Sequence, residues 1–273
     1  MRPKVLAPLA LAAVLLMTPS FATTPASPGD GAFRLSLGYD GMFLVKVLDI
    51  KIDERATAQG FDVSARLTST GVLAVIKHID EVASSRGRVV DGDPRPGTFE
   101  YQHLSGKTHR KARTTWMGAD VVTTSTPPFS GLGDPPATLE QKLQASDPLT
   151  TVLRLSLLGS RDALCRKTYL FFDGKQLYGL EFSNPRTVAP TAAETNLGLA
   201  NPFRCDARYR QIAGYARSAK PKKEAGQARP MEVDFARVGA GGPWVMSRLR
   251  ASTPLGAATV ELKRLTVSGR APS

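Results

Sequence analysis

The chain is 273 residues long, carries 36 Lys and Arg against 24 Asp and Glu, and holds two cysteines and three histidines. That length suits one large β domain or two small ones, and so few cysteines and histidines leave little for a metal cluster. A net charge of +12 suggests nucleic acid for a cytoplasmic protein. For an exported one it suggests anionic headgroups, lipopolysaccharide phosphates or acidic wall polymers.

The N-terminus favours export. Residues 1–30 read MRPKVLAPLALAAVLLMTPSFATTPASPGD. Arg2 and Lys4 precede an uncharged apolar run, Val5 to Met17, and Ser20-Phe21-Ala22 puts small residues where a signal peptidase reads. The run is shorter than the about 20 residues a bilayer span needs, and no second one follows. The expectation is a signal peptide over 1–22, a flexible mature N-terminus over 23–30 and a single β-rich domain over 31–268. The mature protein is then periplasmic, without a transmembrane segment, and nucleic acid is not an expected partner. No cysteine stands at the cleavage point to take a lipid. Losing Arg2 and Lys4 leaves a charge of about +10, part of it in SAKPKKEAGQARP, residues 218–230, which reads as a mobile basic loop.

Period-two alternation runs through the mature chain. Phe33, Leu35, Leu37 and Tyr39 alternate with Arg34, Ser36, Gly38 and Asp40, and Phe61, Val63, Ala65 and Leu67 with Asp62, Ser64, Arg66 and Thr68. Further strands are expected around 43–53, 86–90, 98–104, 108–117, 231–238 and 243–251, and at Ala258, Val260 and Leu262. Closely spaced turn signals between them suit an antiparallel sandwich or barrel. Two helices are predicted. In TGVLAVIKHIDEVA, Val72, Val75, Ile76, Ile79 and Val82 recur at helical spacing, so one face should be buried. In SDPLTTVLRLSLLG, Asp147 caps, Pro148 fits the first turn and Gly159 ends the helix. Its Leu149, Val152, Leu153 and Leu157 should pack on the inner sheet surface. TPPFSGLGDPPAT lies before that second helix as a long loop.

Asp173-Gly174 between alternating runs predicts a two-residue hairpin turn, pairing Phe172 with Lys175, Phe171 with Gln176 and Tyr169 with Tyr178. One face then carries Cys165, Tyr169, Phe171, Tyr178, Leu180 and Phe182. The other carries Arg166, Thr168, Lys175 and Glu181, with Leu170, Phe172 and Leu177 among them. In NPFRCDARYRQIAGYA, Phe203, Cys205, Ala207, Tyr209, Ala213 and Tyr215 share a face, opposite Arg204, Asp206, Arg208, Arg210 and Ile212. Two inward cysteines in an exported protein are expected to be joined. A reactive thiol would need exposure and a nearby positive charge instead.

No catalytic set stands out. His103 and His109 flank a turn, but only His78 could join them at a metal, and none is expected. Ser130 lacks the elbow motif of a hydrolase. The glycines of VGAGGPW lead into a strand and so cannot cradle a phosphate at a helix terminus. Glu100, Asp120, Glu181 and Glu261 are too scattered to pair for acid–base work. No cofactor is expected.

The order of FRLSLGYDGMFLVKV, TSTGVLAVIKHIDEVASSRGRV, DPLTTVLRLSLL, LCRKTYLFFDGKQLYGLEF, CDARYRQIAGY and the closing MEVDFARVGAGGPWVMSRLRASTPLGAATVELKRL resembles the exported bacterial family known as domain of unknown function 3108. A broader similarity is to periplasmic lipoprotein carriers and envelope-integrity proteins with a curved, incompletely closed β-barrel wrapped around helices. The resemblance implies a mainly β fold: a strongly curved antiparallel sheet or open barrel with one or two helices on its concave side. It supplies no catalytic residues. The expected function is that of a non-enzymatic envelope protein supporting envelope integrity, binding an apolar or amphiphilic ligand, such as a lipid, or an envelope protein partner. Tyr169, Phe171, Tyr178, Phe182, Tyr209 and Tyr215 are candidates to line the site, and Arg204, Arg208 and Arg210 to meet anionic groups. A scaffold binding through a sheet edge and a cell-wall or lipid hydrolase are the alternatives.

Overall fold

The computed structural model describes residues 32–106, 109–216, 231–253 and 256–269. The expected signal peptide, residues 23–30 and the basic stretch 218–230 lie outside the described residues.

The first half of the chain forms β1 (Phe33–Phe43), β2 (Val45–Ala56), β3 (Gly60–Ser69), the short helix α1 (Gly71–Ile76), β4 (Asp80–Val90), β5 (Asp93–His103), β6 (Lys111–Met117) and β7 (Asp120–Thr126). Three helices follow: α2 (Leu139–Gln144), α3 (Pro148–Leu157) and α4 (Arg161–Cys165). The second half adds β8 (Thr168–Phe172), β9 (Leu177–Thr187), α5 (Ala192–Asn196), β10 (Leu199–Ala213), β11 (Met231–Val238), β12 (Trp244–Thr253) and β13 (Gly256–Ser268). All strands join one mainly β sheet of order β7-β6-β5-β4-β3-β2-β1-β13-β12-β11-β10-β9-β8. It consists of two antiparallel meanders sewn together where β1 pairs with β13, Leu37 opposite Leu265.

Alternation sets the inner face, because successive side chains of a strand point to opposite sides. Leu35, Leu37 and Tyr39 of β1 are buried with Phe61 and Val63 of β3 in the main core cluster. On the concave side α4 buries Leu164 and Cys165, and α3 buries five of its ten residues. Its cap is Asp147, whose Oδ1 accepts from the Thr150 backbone N–H at 2.8 Å, while Oδ2 accepts from Ser85 on β4 at 2.9 Å. Leu149 and Leu153 are buried against the sheet. Arg154 ties the helix to β5 through Asp93 at 2.6 Å and the Pro94 carbonyl at 2.6 Å.

The sheet does not close by hydrogen bonds between β7 and β8. It rolls past itself. Phe172 and Leu177, on the side of the β8–β9 hairpin opposite Phe171 and Tyr178, are buried with Val121 of β7, Ala145 and Ala213. Gly174 lies so near β6 and β7 that a Cβ there would meet the Thr114 hydroxyl at 2.8 Å. The segment before α3 fills the remaining seam. The Ser146 N–H donates to the Leu170 carbonyl and Phe172 N–H to the Ser146 carbonyl, at 3.1 and 3.0 Å. The Trp116 indole donates to the Lys142 carbonyl at 3.3 Å.

Four local expectations are corrected. The helix expected over residues 70–83 is only α1, it buries no residue, and Asp80–Val90 is a strand. There β4 satisfies a full ladder with β3 on one side and β5 on the other, which outweighs local apolar periodicity. The 173–176 turn has four residues: Phe172 pairs with Leu177, Phe171 with Tyr178 and Tyr169 with Leu180. Asp173 Oδ1 accepts from the Lys175 and Gln176 N–H groups at 3.0 and 2.7 Å, and this Asx turn replaces the tight one. Cys165 ends α4 and lies outside the strand. A register shift between Gln211 and Ala213 moves Ala213 out of the face of Tyr209 and into the seam cluster.

Candidate functional site

Because α3 lies across the concave surface without filling it, space is left on both of its sides. Towards β8–β12 is a cavity of about 200 Å³. Its walls are apolar: Val152 and Leu155 from α3 face Phe171, Phe182, Phe235 and Met246. Towards β2–β5 is an open recess of about 550 Å³, walled by Phe99, Tyr101 and His103 of β5 and by Tyr178, Lys175 and Phe129 opposite. Pro148 borders both spaces. Between them stand Phe171, facing the cavity, and Tyr178, facing the recess, stacked at 5.0 Å with a 5° angle between rings. An apolar chamber therefore adjoins a mouth rich in aromatic rings and charge.

Few polar side chains reach the chamber. The Tyr39 phenol and the hydroxyls of Thr151 and Ser156 border it. Ser156 Oγ donates at 3.3 Å to Oε1 of Glu54, a carboxyl buried on the inner face of β2. Its Oε2 has no hydrogen-bond partner. Loss of hydration raises the Glu54 pKa to about 8, only partly opposed by the Ser156 hydrogen bond. Burial, and then Glu54 itself, pushes the Tyr39 phenol well above its ordinary range. Burial also raises Asp147 and Asp173, against the hydrogen bonds that each accepts. Burial thus favours the neutral forms of Glu54 and Tyr39.

The six candidate lining residues divide. Phe171 and Phe182 line the cavity and Tyr178 the recess. Tyr169 packs edge-on against Phe182 at 5.7 Å and donates to the Ala163 carbonyl at 3.2 Å. Tyr209 leans on Tyr178 at 5.4 Å, and its hydroxyl is hydrogen-bonded to that of Tyr215, so both stand behind the lining. Val152 is expected from the sequence to face the inner sheet surface, but as packing and not as lining, and Leu155, Phe235 and Met246 are not singled out there. Their strands and helix were expected, but nothing local told which face looked into empty space.

The three arginines lie on the convex face of β10. Arg204 makes a bidentate pair with Asp234 at 2.5 and 3.0 Å and also reaches Glu232. Arg210 holds Glu181 at 3.0 Å. Arg208 is exposed. They are not brought together with the cavity. Cys165 and Cys205 are joined in a disulfide, Cα atoms 5.7 Å apart, fully buried beside Phe203 and Leu164. His103 pairs with Glu81 at 2.8 Å, and His109 is exposed. Among the described residues no group of three or more His, Cys, Asp or Glu is placed to hold a metal ion, and no helix is long and apolar enough to cross a membrane.

No family model matches the sequence, and no curated protein matches it. Among solved structures, the chain is similar to a beta-barrel-like protein of domain of unknown function 1849 from Brucella abortus. The identity is 8% and the TM-score 0.48, over 87% of this chain and 98% of that one.

Proposed function

We propose that this chain is an exported, non-enzymatic protein of the cell envelope, a divergent relative of domain of unknown function 3108, that holds an apolar or amphiphilic ligand with its apolar part in the chamber beside α3. The observation that carries this reading is the junction at Pro148 and the Phe171–Tyr178 stack, where the apolar cavity adjoins the polar-edged recess. The two spaces together fall in the range of about 300–1,000 Å³ typical of small-molecule sites. Export is supported by the pattern of residues 1–22 and by a buried disulfide, which belongs to oxidising compartments. The apolar walls of the chamber disfavour a charged occupant there.

The test is native mass spectrometry of the protein recovered from producing cells, alongside a Val152→Trp variant that fills the cavity from α3. The wild-type protein should carry a non-covalent amphiphile that organic solvent releases, and the variant should lose it while keeping its circular dichroism spectrum. A wild-type protein that carries no such mass and binds no fluorescent apolar probe would overturn the reading.

A further inference from the structure

The rim that surrounds the recess carries a second feature. Strand β3 ends at Ser69 and β4 begins at Asp80, so α1 stands on the same rim as Leu67 and Glu81, which line the recess. The β1–β2 turn lies beside α1: the Thr70 N–H donates to the Val47 carbonyl at 2.8 Å. At this place five large apolar side chains face solvent. Leu44 and Val45 at the turn are 93% and 54% exposed, and Val72, Val75 and Ile76 of α1 are 56%, 88% and 77% exposed. Leu44 is held at φ +63°, a conformation unfavourable for a branched apolar residue, so the turn presents this side chain to solvent at a conformational cost. A helix that buries nothing, next to a turn tipped with leucine, is a concentration of apolar surface unusual for a soluble face.

The rim also carries cations that no carboxylate holds. Its acids are engaged: Asp40 and Asp49 with Lys46, Asp80 with Arg66, and Glu81 with His103. Asp173 is held by backbone N–H groups. Lys77, exposed beside Ile76, has no carboxylate partner among the described residues. Neither have Arg110 and Lys175, which lie over the Phe129 ring at 5.1 and 5.7 Å. Apolar tips flanked by cations that have no carboxylate partner fit a layer that is apolar inside and anionic at its surface.

We propose that this rim docks on an anionic phospholipid bilayer, with Leu44, Val75 and Ile76 entering among the acyl chains and Lys77, Arg110 and Lys175 meeting the phosphates. Docking of this kind would turn the mouth of the recess toward the lipid from which an amphiphile could enter. The docking does not depend on the cavity, so the two ideas can fail separately.

The experiment places an environment-sensitive fluorophore on the full chain at Ile76→Cys or, on the opposite rim, at Ala58→Cys, with the native disulfide left oxidised. Vesicles of phosphatidylethanolamine with phosphatidylglycerol should brighten and blue-shift the label at 76 and leave the label at 58 unchanged. Vesicles of phosphatidylcholine alone, or high salt, should weaken the response. Adding Val75→Asp should reduce the apparent vesicle affinity about tenfold, the loss expected for one apolar side chain. Val152→Trp should bind vesicles as the wild type does. The proposal is overturned if position 76 does not respond, if positions 58 and 76 respond alike, or if the label at 76 is already buried without vesicles because two copies or another protein cover the patch.

Discussion

Glu54 shows how a single side chain constrains the conditions under which this fold is stable. Its carboxyl lies across from Leu35 on β1 and Val63 on β3, with one oxygen bonded to Ser156 and the other without a partner. The folded-state pKa of about 8 stands above the ordinary value of 4.5, so the folded chain binds the proton more tightly than the unfolded one. This contribution to stability is fully present below about pH 4.5 and is lost as the pH rises to about 8, at up to about 1.4 kcal/mol per pH unit. Asp147 and Asp173 are raised by burial too and add slopes of the same sign. Glu54→Gln keeps the shape and removes the titration. In denaturant unfolding at a series of pH values, the variant should match the wild type near pH 4.5 and exceed it above pH 8, with a shallower slope between. Equal slopes in the two proteins would show that Glu54 is hydrated in solution.

At the scale of elements, the disulfide connects α4 to β10 and encloses β8, β9 and α5 in a loop of 40 residues. Closing such a loop stabilises by about 4 kcal/mol in the chain-entropy account. The double variant Cys165→Ala and Cys205→Ala should therefore unfold at markedly lower denaturant with a steeper slope, because the unlinked unfolded chain is more expanded, and a midpoint equal to the wild type's would contradict that account. Which elements the sequence revealed follows from the range of their causes. Asp147-Pro148 announced α3 because capping is local chemistry, and the β1 and β3 alternation was clear because each strand faces the core on one side only. Residues 77–83 misled because β4 is fixed by its two neighbours, whereas Val75, Ile76, Ile79 and Val82 mimic a helical stripe; the strand expected around 86–90 is the second half of β4. The β8–β9 turn was longer than expected by two residues. Since side-chain direction has a period of two, the faces of Tyr169, Phe171, Tyr178 and Phe182 survived that error. The bulge at Gln211–Ala213 shifts by one and therefore moved Ala213. The cavity was only half visible, because Phe171 and Phe182 are recognisable as inward residues, while the gap between Val152 and Phe235 exists only once α3 is set across the sheet.

At the scale of the whole molecule, closure by overlap explains a pattern that alternation alone does not. Strands β8 and β9 are apolar on both faces: Phe171 and Tyr178 look toward α3, while Phe172 and Leu177 look outward yet are almost fully buried. A barrel closed by hydrogen bonds would put the second pair in water. Here the inner face of β6–β7 covers them, so the seam rests on side-chain packing, the short bridge at Ser146 and the cation of Lys142 over the Phe172 ring at 5.5 Å. Phe172→Ala should cost about 3–5 kcal/mol, and the loss should be local at first. Hydrogen exchange should quicken in β6, β7 and the 139–147 segment while β1 and β13, paired on both sides, stay protected. Uniform acceleration across all strands would mean that the sheet opens as one unit and that the overlap is not its weak point. Slow exchange preserved in β7 would place the hold elsewhere along the seam, with Trp116 and its bond to the Lys142 carbonyl as the next group to remove.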